Sequence, residues 1–381
     1  MSTNYKKLGD IVELIDERNK SLETSEVLGI SIDKEFMPSV ANTIGTDLSN
    51  YKLLRMNTFA CNPMHVGRDE RLPVSLYKKD IPAIVSPAYF MFRVKDENKV
   101  IPDFLMLIFK RNDFDRNCWF RTDGSVRGGI TWNDICEIEL PIPDLKEQEK
   151  IVNTYNAITN RIRIKQKINE NLEKTAQAIY KKMFIEEADL TKGRLGDLCK
   201  QFTGFPFDSE LYSEFEGVKT LRGENVTEGK LRWDTIKKYK DEITERIAKN
   251  YLQEWDIVIG MDGSKVGKNW SLVHDFDLPL LLAQRVSCIR ANSLSIQLYL
   301  YLSIQLGKFS EYVSQVNTGT TILHISGTQI EDFPILIPQE KNLNDFGNMV
   351  IPLFIERKEN LEEMEKLYRL REIVVSQISK R

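Results

Sequence analysis

Hydrolysis, group transfer and metal chemistry each need side chains of defined type at defined spacing. The three histidines, His65, His274 and His324, stand apart from one another and from any Cys or carboxylate at metal-ligand spacing. They read as packing or surface residues. Five scattered cysteines, Cys61, Cys118, Cys136, Cys199 and Cys288, form no CxxC pair, and an odd count suits a reducing compartment. Gly260 to Asn269, GMDGSKVGKN, misses the spacing and the final hydroxyl of a G-x-x-x-x-G-K-[ST] phosphate loop. It reads instead as a glycine-rich turn after a strand, with Ser264, Lys265 and Lys268 free to meet a backbone phosphate. Asn62-Pro63-Met64-His65 lacks the second proline and the aromatic residue of the Asn-Pro-Pro-aromatic motif of amino-methyltransferases, and no G-x-G loop follows an early strand. Glu228-Gly229-Lys230 with Asp208 upstream matches an acid-x-lysine nuclease pattern too permissive to carry weight. No catalytic residue, bound cofactor or metal is therefore expected in this chain.

What the sequence does offer is positive charge in local clusters. Net charge is -3, from 53 Lys and Arg against 56 Asp and Glu, so no bulk field draws in a polyanion. Bases gather at Arg68 to Arg71 with Lys78-Lys79, along Arg116 to Arg127, along Lys230 to Lys240, and at Lys265 with Lys268. Each cluster mixes charge with aromatic or glycine neighbours. A charge run is more often a solvated face than a binding site, so these clusters matter only if the fold presents them together.

The elements that must position them are written twice. Gly124 to Pro143, GSVRGGITWNDICEIELPIP, aligns without a gap to Gly319 to Pro338, GTTILHISGTQIEDFPILIP, at an offset of 195 residues. Ile130 matches Ile325, Ile135 matches Ile330, and Ile142-Pro143 matches Ile337-Pro338. Leu8-Gly9-Asp10 recurs as Leu195-Gly196-Asp197. After each Ile-Pro comes a charged, proline-poor stretch with helical periodicity.

The first such helix is predicted from Asp144 as N-cap, with Glu147 three residues on, to about Glu187. Ile151, Ile158, Lys165, Leu172 and Ile179 form one heptad stripe, interleaved with Tyr155, Ile162, Asn169, Ala176 and Met183. The second helix repeats this with Phe346, Leu353, Asn360, Leu367 and Val374 beside Val350, Arg357, Met364, Arg371 and Ile378. Both seams turn polar near the middle. Such positions either set register or lie in water beside a kink at Pro352. About 40 residues make a rod of roughly 60 Å.

The expected division is a globular unit at residues 1–143, a helix at 144–190, a second globular unit at 191–338 and a second helix at 339–381. The helix pair is expected to be antiparallel, an intramolecular coiled coil related by a pseudo-twofold axis. Ile151, Ile158, Ile162, Leu172, Ile179, Leu353, Met364, Leu367 and Val374 are the apolar residues expected to pair. Each globular unit reads as α+β. The first has extended runs such as Pro82 to Val94 and one helix at Pro102 to Arg111; the second has Trp255 to Gly260, Leu278 to Arg290 and a helix around Ile296 to Val313. With 41% hydrophobic residues over 381 positions, folded domains with real cores are expected. The start MSTNYKKLGD has no signal-peptide core and no window reaches membrane-span length, so the cytoplasm is the default compartment.

Two unlike α+β units, each followed by LPIP or LIPQE and a heptad helix, resemble the specificity (S) subunits of type I restriction-modification systems along the whole chain. The residues that carry the resemblance are Gly124-Ser-Val-Arg-Gly-Gly-Ile130, Glu139-Leu-Pro-Ile-Pro143, Leu145-Lys-Glu-Gln-Glu149 with Ile151, both Leu-Gly-Asp openings, Asn62-Pro63-Met64, and Trp255 to Gly263. The resemblance implies a non-catalytic subunit that binds a bipartite, asymmetric double-stranded DNA sequence, one target-recognition domain per half-site, with the helices as a ruler. It further implies two modification subunits carrying S-adenosylmethionine for adenine methylation, and restriction subunits using ATP and Mg2+. Base edges and phosphates are read by Arg, Lys, Asn, Ser and Thr from loops. The candidates are Arg68, Arg71, Arg121, Ser125 and Arg127 in the first domain and Arg222, Asn225, Lys265, Lys268, Thr318 and Thr320 in the second. The rival readings are a single-chain DNA-modifying or DNA-cutting enzyme, and a coiled-coil scaffold that does not bind DNA.

Overall fold

The computed structural model describes residues 5–40, 45–64, 66–122, 128–186, 191–316 and 323–379. The chain divides into two compact units: Met1–Arg163 with Glu365–Arg381, and Ile164–Met364. Each mixes strands and helices, and each holds a section of both long helices.

Unit one is framed by four antiparallel strands, β1 (Val12–Ile15), β2 (Phe59–Cys61), β3 (Val74–Leu76) and β4 (Phe90–Val94), in the order β1-β4-β2-β3. Helix α1 (Pro102–Phe109) packs on it and is apolar almost all round, as suits a helix with no wet face. Phe59 and Phe92 stack with ring centroids 5.0 Å apart, and Phe109 closes edge-on against Phe59 at 5.5 Å. A second helix, α2 (Asn112–Phe120), follows directly, so part of the basic Arg116 to Arg127 run is helical. Outside this frame lie two separate strand pairs, Leu28–Ile30 with Phe36–Pro38 and Lys52–Leu54 with Ala83–Val85.

Unit two repeats the frame. Strands β5 (Cys199–Thr203), β6 (Ile257–Gly260), β7 (Trp270–Leu272) and β8 (Val286–Ala291) run in the order β5-β8-β6-β7, again antiparallel throughout. The second sheet departs from unit one: Tyr212–Ser213, Lys237–Tyr239, Val218–Leu221 and Leu280–Leu282 form one mixed four-stranded sheet whose last pair is parallel. The apolar stretch expected as one helix near 296–313 is two, Leu294–Leu306 and Phe309–Val316. Lys308 between them has φ +63, which breaks the helical run.

The repeated Leu-Gly-Asp has a steric origin. Leu8 and Leu195 are fully buried, and their amides donate to Ile138 O at 2.8 Å and Phe333 O at 2.9 Å. At Gly9 a Cβ would meet Cys136 Cβ at 2.9 Å, and at Gly196 it would meet Glu331 Cβ at the same distance. Each glycine therefore lets its segment press against the short helix of its own unit, Trp132–Cys136 or Gly327–Glu331. The first and last strands of each unit also pair, Tyr5–Lys7 with Glu139–Pro141 and Thr191–Arg194 with Pro334–Ile337.

The long helices are α3 (Leu145–Lys181), which continues as a wider π turn over Lys182–Glu186, and α4 (Glu340–Ser376). Asp144 Oδ1 accepts from Glu147 N at 2.9 Å and caps α3. Gln148, fully buried, donates to Lys99 O and Pro143 O and accepts from Ile101 N, tying the helix start to the entry of α1. In unit one, Val152 and Ile378 join the same core cluster, with Ile151 and Tyr155 packed on it. Ile158 and Ile162 are buried, while Leu367 and Val374 are half-buried. In unit two, Ala176, Tyr180 and Phe184 meet Phe346, Val350 and Phe354 in one core that also takes Ile179 and Leu353; Met364 is buried and Leu172 half-buried.

The polar middle of the seam is bonded from helix to helix, with Asn169, Arg357 and Asn360 buried and Lys165 half-buried. Lys165 Nζ donates to Asn360 Oδ1 at 2.6 Å, Asn360 Nδ2 to Asn169 Oδ1 at 2.9 Å, and Asn169 Nδ2 to Arg357 O at 3.3 Å. Lys165 also meets Glu363 at 2.9 Å, and Arg357 meets Glu173 at 3.5 Å. As α3 numbers rise, α4 numbers fall, so the helices are antiparallel. Pro352 removes one amide donor, yet α4 runs on past it. The alternative of solvated groups beside a kink is thus set aside for register. Replacing Asn360 with Leu removes the donor to the buried Asn169 amide oxygen and leaves Lys165 with Glu363 alone; we expect a loss of about 1–3 kcal/mol, read from denaturant unfolding.

His274 of unit two is buried beside Trp255, and burial, with the nearby Arg357 charge second, pushes its imidazole down to about 3. It is neutral in the folded chain, whereas an unfolded histidine protonates near 6.5. Acidification from about 6.5 toward 3 therefore protonates only the unfolded chain and removes up to about 1.4 kcal/mol of stability per pH unit. His274→Gln should flatten that part of a stability profile measured against pH; an unchanged acid limb would contradict the assignment.

Candidate nucleic-acid interface

At one end of each four-stranded frame, the loop leaving a central strand is stitched to the repeated segment that precedes the isoleucine. In unit one, Ile130 N donates to Pro63 O at 3.1 Å and Gly67 N to Gly128 O at 2.9 Å. In unit two, Ile325 N donates to Met261 O at 3.0 Å and Gly263 N to Leu323 O at 3.1 Å. Each loop then presents Val-Gly followed by a base: Val66-Gly67-Arg68 in one, Val266-Gly267-Lys268 in the other. Gly263 and Gly267 have φ of +99 and +85, so these glycines serve the turns of the loop.

The first loop is pinned from below. Leu72 N donates to Asp115 Oδ1 at 3.0 Å, and the same oxygen takes Lys34 Nζ at 2.7 Å. Lys34 also donates to Phe109 O. The ion pair is nearly dry, with side-chain exposures of 5% and 8%. Burial pushes the Lys34 ammonium below its ordinary range, and the Asp115 carboxylate opposes that. Above this pair Arg68 is exposed and held by Asp69 at 2.6 Å, and Arg71 is exposed with Asp33 at 3.8 Å. Arg121 ends α2 half-exposed next to Phe120, which is 87% exposed.

In unit two, Lys265 and Lys268 are exposed on the loop. Arg222 is half-exposed, paired with Glu224 at 3.1 Å and lying over the Tyr212 ring. Asn225 needs correction as a base-reading candidate. It is 2% exposed, its Oδ1 accepts from Arg222 N at 3.1 Å, and its Nδ2 donates to Arg232 O and Thr235 O at 3.0 Å each. Its amide is spent shaping the loop. Ser125, Arg127, Thr318 and Thr320 lie outside the described residues, although Gly128 and Leu323 place the neighbouring backbone against the two loops.

His324, which the sequence reads as a packing or surface residue, sits instead in a polar group. Its Nδ1 meets Asp262 Oδ1 at 2.5 Å, and Arg285 Nη1 meets the other carboxylate oxygen at 3.1 Å. Asp262 and the Arg285 that holds it lie 62 and 39 residues away in the chain, so no local spacing could reveal the group.

The decoy motifs resolve into ordinary structure. Glu228-Gly229 is the turn between Val226–Thr227 and Lys230–Leu231, with Gly229 at φ +73, and Asp208 caps a single turn through Glu210 N. Burial pushes the Cys61 and Cys199 thiols up to about 12, against nucleophilic use. Among the described residues no three His, Cys, Asp or Glu side chains gather as a metal cage, and no helix is long and apolar enough to cross a membrane.

The model of the type I restriction modification DNA specificity domain matches this chain twice, at residues 3–174 and 187–369, and the chain belongs to that family. Among its relatives are the MjaIX and MjaVIII type I restriction enzyme specificity subunits of Methanocaldococcus jannaschii. The first is 23% identical over 73% of this chain and 68% of its own length, the second 24% over 72% and 70%. A solved type I restriction-modification S subunit from M. genitalium shares the fold with a TM-score of 0.63 at 14% identity, covering 98% of this chain and 95% of that one.

Removing Asp115 while keeping Lys34 leaves an uncompensated buried cation. Asp115→Ala should destabilise unit one by about 3–5 kcal/mol in denaturant unfolding, with Lys34→Met/Asp115→Leu recovering much of the loss.

Proposed function

We propose that this chain is the DNA sequence-recognition subunit of a type I restriction-modification complex, binding a bipartite, asymmetric target with one half read by each unit. The observation that carries the reading is the repeated frame that delivers a base-bearing loop, Arg68 in one unit and Lys268 in the other, from the same end of the sheet. Unlike second sheets beside like frames suit two readers of unlike half-sites.

The reading assigns no catalysis to this chain. Modification subunits would carry S-adenosylmethionine and methylate adenine, while restriction subunits would use ATP and Mg2+. The paired helices would act as spacer and as docking surface for two modification subunits. The polar seam supports that role, because a helix pair locked in one register keeps its outer faces fixed. The work of the chain is then contact alone: exposed Arg and Lys take phosphates and fix orientation, and neighbouring loop side chains meet base edges.

Duplex DNA of random sequence tests the reading at two salt concentrations. The purified chain should bind with affinity that falls steeply as salt rises, and Lys265→Ala/Lys268→Ala should reduce the log-log salt slope by up to about 2. A chain with no affinity and no slope would be a scaffold rather than a DNA reader.

A further inference from the structure

Three segments of unit two converge at the loop end of its sheet. Met261 N donates to Arg285 O at 2.9 Å, Ile325 N donates to Met261 O at 3.0 Å, and Asp262 bridges His324 across that second contact. On this platform Asp262 is 20% exposed, His324 42% and Arg285 68%, with Lys265 and Lys268 exposed on the same loop. The carboxylate is thus the recessed member of the group, and the imidazole and guanidinium are the outer ones.

We propose that His324 is a specificity-determining residue that reads one base of the half-site taken by unit two. It does so by accepting, at Nε2, a hydrogen bond from the exocyclic amino group of adenine or cytosine. Asp262 and Arg285 act as positioning residues. The inference rests on the DNA-recognition reading and deepens it.

The direction of the hydrogen bond follows from the partners. An ionised carboxylate only accepts, so the proton between Asp262 and His324 belongs to Nδ1. In a neutral imidazole that leaves Nε2 as an acceptor. Arg285 occupies the second carboxylate oxygen, which holds the carboxylate, and through it the ring, in one orientation. Nε2 carries no hydrogen bond to any described residue. In the major groove only adenine N6 and cytosine N4 offer amino donors, while guanine and thymine present acceptors there. A fixed acceptor therefore separates the two classes of base.

The aligned positions of unit one carry other residue types. Ile130 N to Pro63 O is the counterpart of Ile325 N to Met261 O, which sets Gly129 opposite His324 and Met64 opposite Asp262. Neither Gly129 nor Met64 can supply this acceptor. The effect of His324 is accordingly confined to one half of the target.

The test uses the full chain with its modification subunits. Methylated adenines are mapped in DNA from expressing cells to define the target. Affinities of the purified complex are then measured for that target and for every single-base substitution. At one adenine or cytosine position of one half-site, the wild type should discriminate roughly tenfold to a hundredfold. His324→Ala should lose that discrimination there and keep it everywhere else. Asp262→Asn can donate an amide hydrogen to Nδ1 and move the ring proton to Nε2, so its preference at that position should turn toward guanine or thymine. Retained wild-type discrimination at every position in both variants would overturn the inference. So would a loss in both variants spread evenly over the half-site. A wild-type complex that binds no DNA and methylates no sequence would instead sink the DNA-recognition reading itself.

Discussion

A buried amide and a half-buried ammonium fix where one long helix stands against the other. Asn360 gives its amide hydrogen to Asn169 and takes one from Lys165, and neither exchange survives a slide of the helices by one turn. Apolar contacts tolerate such a slide far better, because Leu and Ile meet neighbours of similar shape on the next turn. The energy of the seam comes from Tyr180, Phe184, Phe346 and their neighbours. Its register comes from the polar cluster, which costs stability relative to an all-apolar seam and excludes the alternatives.

Local rules made the frame legible and left the readers obscure. The offset repeat, the Leu-Gly-Asp pair and the heptads are sequence-local, and each maps to a local cause: a buried leucine, a glycine against a short helix, a stripe facing a partner helix. The three-residue strands of unit one are too short for alternation to show, and the broken helix at Lys308 hides within a continuous apolar run because a lysine in left-handed backbone carries no sequence signal. The unlike second sheets were likewise invisible, since pairing of Val218–Leu221 with Leu280–Leu282 depends on tertiary placement.

The same limit governs the site. Exposed lysines and arginines on glycine loops were found by composition and position. Asn225 looked like a reader because its type and neighbours fit, and only its burial and three hydrogen bonds reveal a scaffold role. His324 failed in the opposite sense: an isolated histidine in the sequence acquires its carboxylate partner, itself held by a guanidinium, solely through folding. Residue type thus proposes chemistry, and the partners supplied by the fold decide it.

Tyr5 sits opposite Pro141, and Thr191 opposite Ile337, in strand pairs that close each frame. Entrance and exit of the α+β part of either unit are therefore next-door neighbours. A segment with adjoining ends behaves as a cassette: it can be spliced out whole, or its old ends joined and new ones opened at a surface loop, with little strain on its sheet. Recombination at those junctions could exchange readers while the remaining scaffold stays intact.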